Sequence, residues 1–252
     1  MNSIIKLTEF FRENNRAAVA FSGGVDSAYL LYAAIHCGAA VKAYYVKSAF
    51  QPQFELDDAL KIADILKVDL QVLPVDVFAA PCVAQNPADR CYHCKKIIFS
   101  EIAKAARRDG FSLLLDGSNA SDDEGNRPGM RALREFSVRS PLRECGLDKP
   151  EIRRLSKEAG LFTWDKPAYA CLATRIPTGT EITAERLAKT EAAENYLSAL
   201  GFVDFRVRMR GDAANIQVTA GQLDMALQNR EKITAGLRRY YSAVLLDLEV
   251  RA

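Results

Sequence analysis

The stretch AVAFSGGVDSAYLL, Ala18 to Leu31, runs from apolar residues into Ser22-Gly23-Gly24 and restarts at once in a helical pattern. The two glycines remove side chains where a strand turns into a helix, and Asp26 and Ser27 are placed to cap the helix start. Backbone amides then point outward beside the positive end of the helix dipole, a setting that suits an anion.

Outward from this loop, short apolar, β-branched or aromatic runs recur at 17–21, 41–46, 70–77 and 113–115, alternating with helical patterns at 28–36, 54–66 and 95–107. That rhythm predicts an α/β fold, a parallel sheet with helices on both faces. Ligands of such sheets sit outside the carboxyl ends of the strands, where Ser22 to Gly24 and Asp116-Gly117-Ser118-Asn119 fall. A loop is expected over 119–128 and a helix over 149–159 with Gly160 closing it. Trp164 to Gly179, with three prolines and glycines inside it, reads as a boundary or an active-site loop. Beyond it the pattern changes to a helix at 184–200, strands at 205–209 and 216–219, a helix at 222–239 and a last strand at 243–250. Two domains follow: residues 1–179 carry the nucleotide site, and 180–252 form a small α+β domain for substrate binding or oligomerisation.

The chain has 252 residues, 49% of them apolar, and a net charge of +2. Its core is large enough for a globular enzyme, and its field is too weak to imply a nucleic acid or membrane partner. No apolar run approaches the roughly 20 residues that span a bilayer, and the N-terminus lacks a basic segment followed by a long apolar one. These features read as cytoplasmic. In a reducing compartment the six cysteines are not a disulfide framework.

Ser22-Gly23-Gly24-Val25-Asp26-Ser27 lacks the Lys-Ser/Thr pair of the Walker loop and the spacing of the dinucleotide turn. It matches the PP-loop signature SGGxDS of ATP pyrophosphatases, the adenine nucleotide alpha hydrolase-like fold. Such enzymes split ATP between the α and β phosphates, adenylate an oxygen of the substrate and hold pyrophosphate in the loop, with Mg2+ offsetting phosphate charge. Ser22, Gly23, Gly24, Asp26, Ser27, Asp116 and Gly117 form the expected ATP site; Asp26 orients magnesium-bound water or merely caps the helix.

Arg90-Cys91-Tyr92-His93-Cys94-Lys95-Lys96 joins a CxxC to basic residues just before a predicted helix, a setting that favours thiolate. The pair reads as half a zinc site, a redox pair or a coincidence; no second CxxC or His pair completes a zinc site. Cys171, in the far loop, offers a third thiolate. Three thiolates leave one iron of a [4Fe-4S] cluster open to an exogenous sulfide. The bland alternative for Cys171 is a small buried side chain. Cys37, Cys82 and Cys145 lack such a setting, and His93 reads as a loop residue.

Together with Asp116 to Asp123, Arg127 to Ala132, Ser140-Pro141-Leu142, Trp164 to Pro167 and Cys171 to Pro177, these motifs resemble the LarE family across almost the whole chain. LarE proteins are ATP-dependent sulfur transferases of nickel-pincer nucleotide cofactor biosynthesis. The resemblance implies pyridinium-3,5-biscarboxylic acid mononucleotide as substrate, with ATP, Mg2+ and, in the three-cysteine type, a [4Fe-4S] cluster held by Cys91, Cys94 and Cys171. It also implies a sulfide source or iron–sulfur assembly machinery as partner, and a homo-oligomer. Sacrifice of the Cys171 sulfur is the alternative. Arg206 and Arg208, on one face of a predicted strand, are placed to grip the substrate phosphate, or form a solvated basic face. Thr174, Arg175 and Asp224 are the remaining substrate-site candidates. The rivals are a PP-loop tRNA thiolase, an amidating synthetase and a nucleotide-binding module with structural zinc.

Overall fold

The computed structural model describes residues 3–122 and 128–251, so Asp123 and Arg127 of the quoted motifs lie outside the described residues. In chain order the elements are α1 (Ser3–Glu13), β1 (Arg16–Ala20), α2 (Val25–His36), β2 (Ala40–Lys47), α3 (Gln53–Leu66), β3 (Leu70–Pro74), α4 (Pro81–Ala84), α5 (Arg90–Arg108), β4 (Leu114–Asp116), α6 (Pro128–Glu135), α7 (Pro141–Glu144) and α8 (Lys149–Glu158). Two 3-10 turns, Phe162–Asp165 and Leu172–Arg175, precede α9 (Ala184–Ala199), β5 (Arg206–Arg210) and β6 (Ala213–Gln217). Another 3-10 turn, Ala220–Gln222, leads into α10 (Leu223–Gln228), α11 (Arg230–Leu237) and β7 (Ala243–Leu246). The chain divides into two compact units, residues 1–77 with 89–166, and residues 78–88 with 167–252.

The larger unit is built on a fully parallel sheet in the order β3-β2-β1-β4. Successive residues of β1 point to opposite faces. Ala17 and Val19 enter one apolar core with Leu30, Leu31, Ile62 and Ile152, while Ala18 enters another with Phe99, Ile102 and Leu133. Helices therefore cover both faces, as the α/β rhythm implies. Because the chain turns one way from β1 to β2 and places β4 on the other side of β1, the switch point lies between β1 and β4. There Ala20 pairs with Asp116, so the two loops that carry polar motifs leave the sheet side by side.

In the smaller unit β5 and β6 run antiparallel, and β6 and β7 parallel. The segment 78–88 belongs here because buried Asn86 donates to the carbonyls of Ile176, Pro177 and Thr180 at 3.3, 2.8 and 3.1 Å. The break after Lys166 assigns residues 167–179, and with them Cys171, to the smaller unit rather than to the nucleotide unit in which the sequence boundary at 179 places them.

Several local expectations are corrected. The helix expected over 222–239 is two helices meeting at Asn229. The strand expected at 216–219 begins at Ala213, since its pairing with Arg206–Arg210 sets its register. The last strand ends at Leu246. The CxxC lies inside the first turns of α5, which starts at Arg90 rather than after it.

Candidate active site

Gly23 adopts φ +74°, and a β-carbon there would approach the Glu55 carbonyl oxygen to 3.1 Å and the Ala59 β-carbon to 3.2 Å. Glycine is thus required twice over, by backbone conformation and by space. Gly24 is the N-cap of α2, and no side chain caps this helix among the described residues, so neither Asp26 nor Ser27 has the capping role expected of it. The first-turn amides have no intrahelical partner. The Ser22 and Ser27 hydroxyls lie 3.0 Å apart across the loop, and Ser27 Oγ also donates to the Gly24 carbonyl at 3.2 Å.

Asp26 makes an ion pair instead. Its Oδ2 is 2.5 Å from Lys149 Nζ at the start of α8, and its Oδ1 accepts from Asn119 Nδ2 at 3.2 Å. Asp116 is buried, and each carboxylate oxygen accepts a hydroxyl at 2.6 Å, Oδ2 from Ser118 and Oδ1 from Ser140. Gly117 packs against the first turn of α2 at Ser27. The structure therefore gathers all seven residues expected at the ATP site around the β1/β4 switch point. Asn119, already expected at this strand end, joins them, as do Lys149 and Ser140, which the sequence did not place at the ATP site. Of these, Lys149 had a local signal, a lysine following the Asp148 N-cap, but nothing local said where its side chain would reach.

Cys91 is exposed and Cys94 buried, three residues apart on α5. Arg90 NH2 donates to Cys91 Sγ at 3.6 Å, and His93 pairs with Asp89 at 3.1 Å. Between the cysteines, the Tyr92 hydroxyl donates to Glu135 at 2.7 Å and accepts from Arg131 at 3.0 Å, which fastens this turn to α6. Two thiols on adjacent turns match the donor type and spacing of part of an iron–sulfur site. No group of three or more His, Cys, Asp or Glu is arranged as a metal site among the described residues.

In the smaller unit Cys171 begins the 3-10 turn Leu172–Arg175, and its carbonyl accepts from the Thr174 hydroxyl at 2.9 Å. Arg175 is fully buried and committed internally. Its Nε meets Glu194 Oε1 at 2.7 Å, NH2 meets Oε2 at 3.2 Å, and NH1 reaches the Ala170 carbonyl and the Thr174 hydroxyl at 3.0 and 2.7 Å. Glu194 also accepts from the Tyr169 hydroxyl at 2.6 Å and from the Val207 amide at 3.0 Å. The contacts give Arg175 the work of mounting the Cys171 loop.

Arg206 is buried under the same loop, donates to the Ala168 carbonyl and lies 5.0 Å from the Tyr169 ring centroid. Burial, then the neighbouring Arg175 and Arg251, push its guanidinium down to about 10. Arg208 donates to the Thr174 carbonyl at 2.7 Å and to Gln217 at 2.6 Å, and burial followed by the same arginines lowers it too. Glu194 beside Arg175 and Asp204, 3.4 Å from Arg206 and 2.9 Å from Arg251, offset part of this crowding of cations, and a further anion would stabilise it. Asp224 stands outside this bonded cluster, exposed in the first turn of α10.

The sequence family described as queuosine biosynthesis protein QueC matches residues 16–86, the segment that holds the PP-loop. The pyridinium-3,5-bisthiocarboxylic acid mononucleotide synthase of Lactiplantibacillus plantarum is 32% identical over 245 residues, which cover 96% of this chain and 89% of that protein. The chain belongs to the LarE family. An uncharacterized protein of Synechocystis is 36% identical over 88% of this chain and 84% of its own length. A tRNA-specific 2-thiouridylase of Thermotoga petrophila is 25% identical over 60% of the chain and 54% of that enzyme. The LarE resemblance seen in the motifs and the PP-loop α/β fold are both borne out. Like its LarE relative, the chain is an enzyme of the ATP-using PP-loop class.

Proposed function

We propose that this chain uses ATP to convert carboxylates of pyridinium-3,5-biscarboxylic acid mononucleotide into thiocarboxylates for a nickel-pincer nucleotide cofactor. The reading is carried by one observation, an SGGxDS loop at the β1/β4 switch point of a chain that matches the Lactiplantibacillus plantarum synthase along nearly its whole length. A substrate carboxylate oxygen attacks the α-phosphorus of ATP and pyrophosphate leaves into the loop formed by Ser22, Gly23, Gly24 and Ser27. A sulfur nucleophile then attacks the acyl carbon and AMP departs with the oxygen. Adenylation is needed because a carboxylate oxygen is a poor leaving group at neutral pH. Asp26 would hold magnesium, which supplies charge neutralisation on the phosphates.

Arg206 and Arg208 grip the substrate phosphate with Thr174 beside them, Asp224 is a substrate contact away from that phosphate, and Arg175 keeps the Cys171 loop in place. Cys91, Cys94 and Cys171 would hold a [4Fe-4S] cluster, which when bound supplies a transferable sulfide at the iron without a protein ligand. Its partners are then a sulfide source or iron–sulfur assembly machinery. None of the six cysteines is in a disulfide, and we place the enzyme in the cytoplasm, where thiols stay reduced. The homo-oligomer is assigned to the smaller unit, where Val203, Leu227, Leu245, Leu248 and Val250 are exposed.

A second reading is favoured by the mounting of Cys171 as a single, partly exposed thiol on a loop pinned by Glu194. Cys171 Sγ itself attacks the acyl carbon and AMP leaves. Loss of the Cys171 Cα proton then breaks its Cβ–S bond, releasing the thioacid and leaving dehydroalanine.

The experiment combines product mass and pyrophosphate release with iron and acid-labile sulfide content of protein prepared without oxygen, for wild type and for Cys91→Ala, Cys94→Ala and Cys171→Ala. Thioacid formed only with ATP and the pyridinium mononucleotide supports the reaction; no pyrophosphate and no thioacid would sink it. About four irons per chain, lost in every variant, support the cluster. An iron-free active protein that loses one sulfur and two hydrogens supports sacrifice of Cys171.

A further inference from the structure

From Ser22 to Ser27 the PP-loop contains one acidic side chain, Asp26, and no basic one, so no side chain of the loop offsets the negative charge of a departing pyrophosphate. A highly charged leaving group calls for a cation within reach of the helix N-terminus. We infer that Lys149 is the pyrophosphate-binding cation of this site, held on Asp26 until the nucleotide arrives. The inference rests on the ATP-dependent reading above and adds to it a residue in a named role.

Lys149 is anchored on both sides by backbone and capping contacts. It is the first residue of α8, its backbone amide donates to Ser121 Oγ at 2.9 Å, and the preceding Asp148 caps the helix by accepting from the Glu151 amide at 2.9 Å. Ile152 and Leu155 of α8 are buried in the same core as Leu30 and Leu31 of α2, which fixes one helix start beside the other. From there the ammonium reaches 2.5 Å from Asp26 Oδ2. An ammonium donates three hydrogen bonds and Asp26 takes one of them, so phosphate oxygens can be met without rebuilding the backbone. Asn119 holds the other oxygen of Asp26, which keeps the carboxylate beside the loop if Lys149 turns to phosphate.

A partly exposed ion pair adds little to stability, so fold energy is a poor reason for this lysine to stand here. The exchange needs no redox partner and no covalent step. Lys149 gives up its bond to Asp26 and takes bonds to the β- and γ-phosphate oxygens, and Asp26 becomes available to magnesium.

Calorimetric titration of the full chain with magnesium ATP, inorganic pyrophosphate and AMP tests the assignment. Lys149→Met is expected to weaken ATP and pyrophosphate by on the order of tenfold or more while AMP is retained, because charged hydrogen bonds to the outer phosphates are lost. Lys149→Arg should recover most of that loss. In metal-free buffer Asp26→Asn should tighten pyrophosphate binding by releasing the lysine. A Lys149→Met protein that binds pyrophosphate like wild type, or that loses AMP as severely as pyrophosphate, overturns the role while leaving the ATP reading intact. A wild type that binds neither ATP nor pyrophosphate overturns both.

Discussion

Gly117 lies so close to the first turn of α2 that a β-carbon on it would stand 2.8 Å from the Ser27 backbone nitrogen and 3.0 Å from its α-carbon. The end of β4 and the start of α2 are thereby in direct backbone contact, and the PP-loop has its width set from the neighbouring strand. Gly117→Ala must push the two apart. We expect a loss of about 1–3 kcal/mol in stability and a clear fall in ATP affinity, seen by thermal melting and nucleotide titration. An alanine variant that binds ATP normally would show that the loop's width is set elsewhere.

Glu194 receives two nitrogens of Arg175, the Tyr169 hydroxyl and the Val207 amide in a buried setting. Glu194→Ala leaves a fully buried guanidinium without its carboxylate, at a cost of about 3–5 kcal/mol. Denaturant titration should register that loss, and Cys171 should become more readily alkylated as its loop loosens. Unchanged stability would contradict the mounting role given to Arg175.

The cysteine thiols differ in environment. Cys145 is buried, and burial, then the nearby Glu144, raises its thiol above the ordinary value. Cys82 and Cys91 are exposed. In the native apoprotein at neutral pH a thiol reagent followed by peptide mass mapping should label Cys82 and Cys91 first and Cys145 last. Early labelling of Cys145 would argue against its place in the core.

Asp109 is held below the usual carboxylate range, chiefly by its bond to Lys42 and then by the Tyr44 hydroxyl at 2.8 Å. A carboxyl lowered in the folded state contributes stability above its unfolded value, about 4, and loses it as pH falls through the folded value. Asp109→Asn should therefore be less stable than wild type at neutral pH, with the gap narrowing in acid. Melting curves from pH 7 down to about 2 decide this; a gap that does not narrow would remove the ionic contribution.

Among the described residues Leu248 is the most exposed of the large apolar side chains, at 86%, and Leu245 and Val250 near it in sequence are also exposed. If the proposed homo-oligomer uses this edge, Leu248→Asp should shift the protein toward smaller species in sedimentation or light scattering, with the fold retained. An unaltered mass distribution would place the contact away from this edge.

The β-α alternation, the glycine loop and the ends of β1 and β4 were legible from the chain because they depend on residues near one another: apolar period, glycine pairs and turn chemistry. The same locality explains the misses. A period of 3.6 carries through Asn229 with no visible interruption, yet the helix breaks there. Arg90 and Cys91 look like loop residues before a helix until Tyr92 and Cys94 are seen buried against its neighbours. Arg175 resembles a substrate contact when read beside Cys171, whereas its partner Glu194 is 19 residues away.

The chain by itself determined the class of fold and the glycine loop between β1 and α2, since each is written in contiguous residues whose physics is local. Tertiary structure alone decided that Lys149 reaches Asp26 across 123 residues, that Gly117 limits the loop at Ser27, and that Arg175 is spent on Glu194. Those relations arise only when the sheet order makes β1 and β4 neighbours and when burial forces each charged group to find a partner.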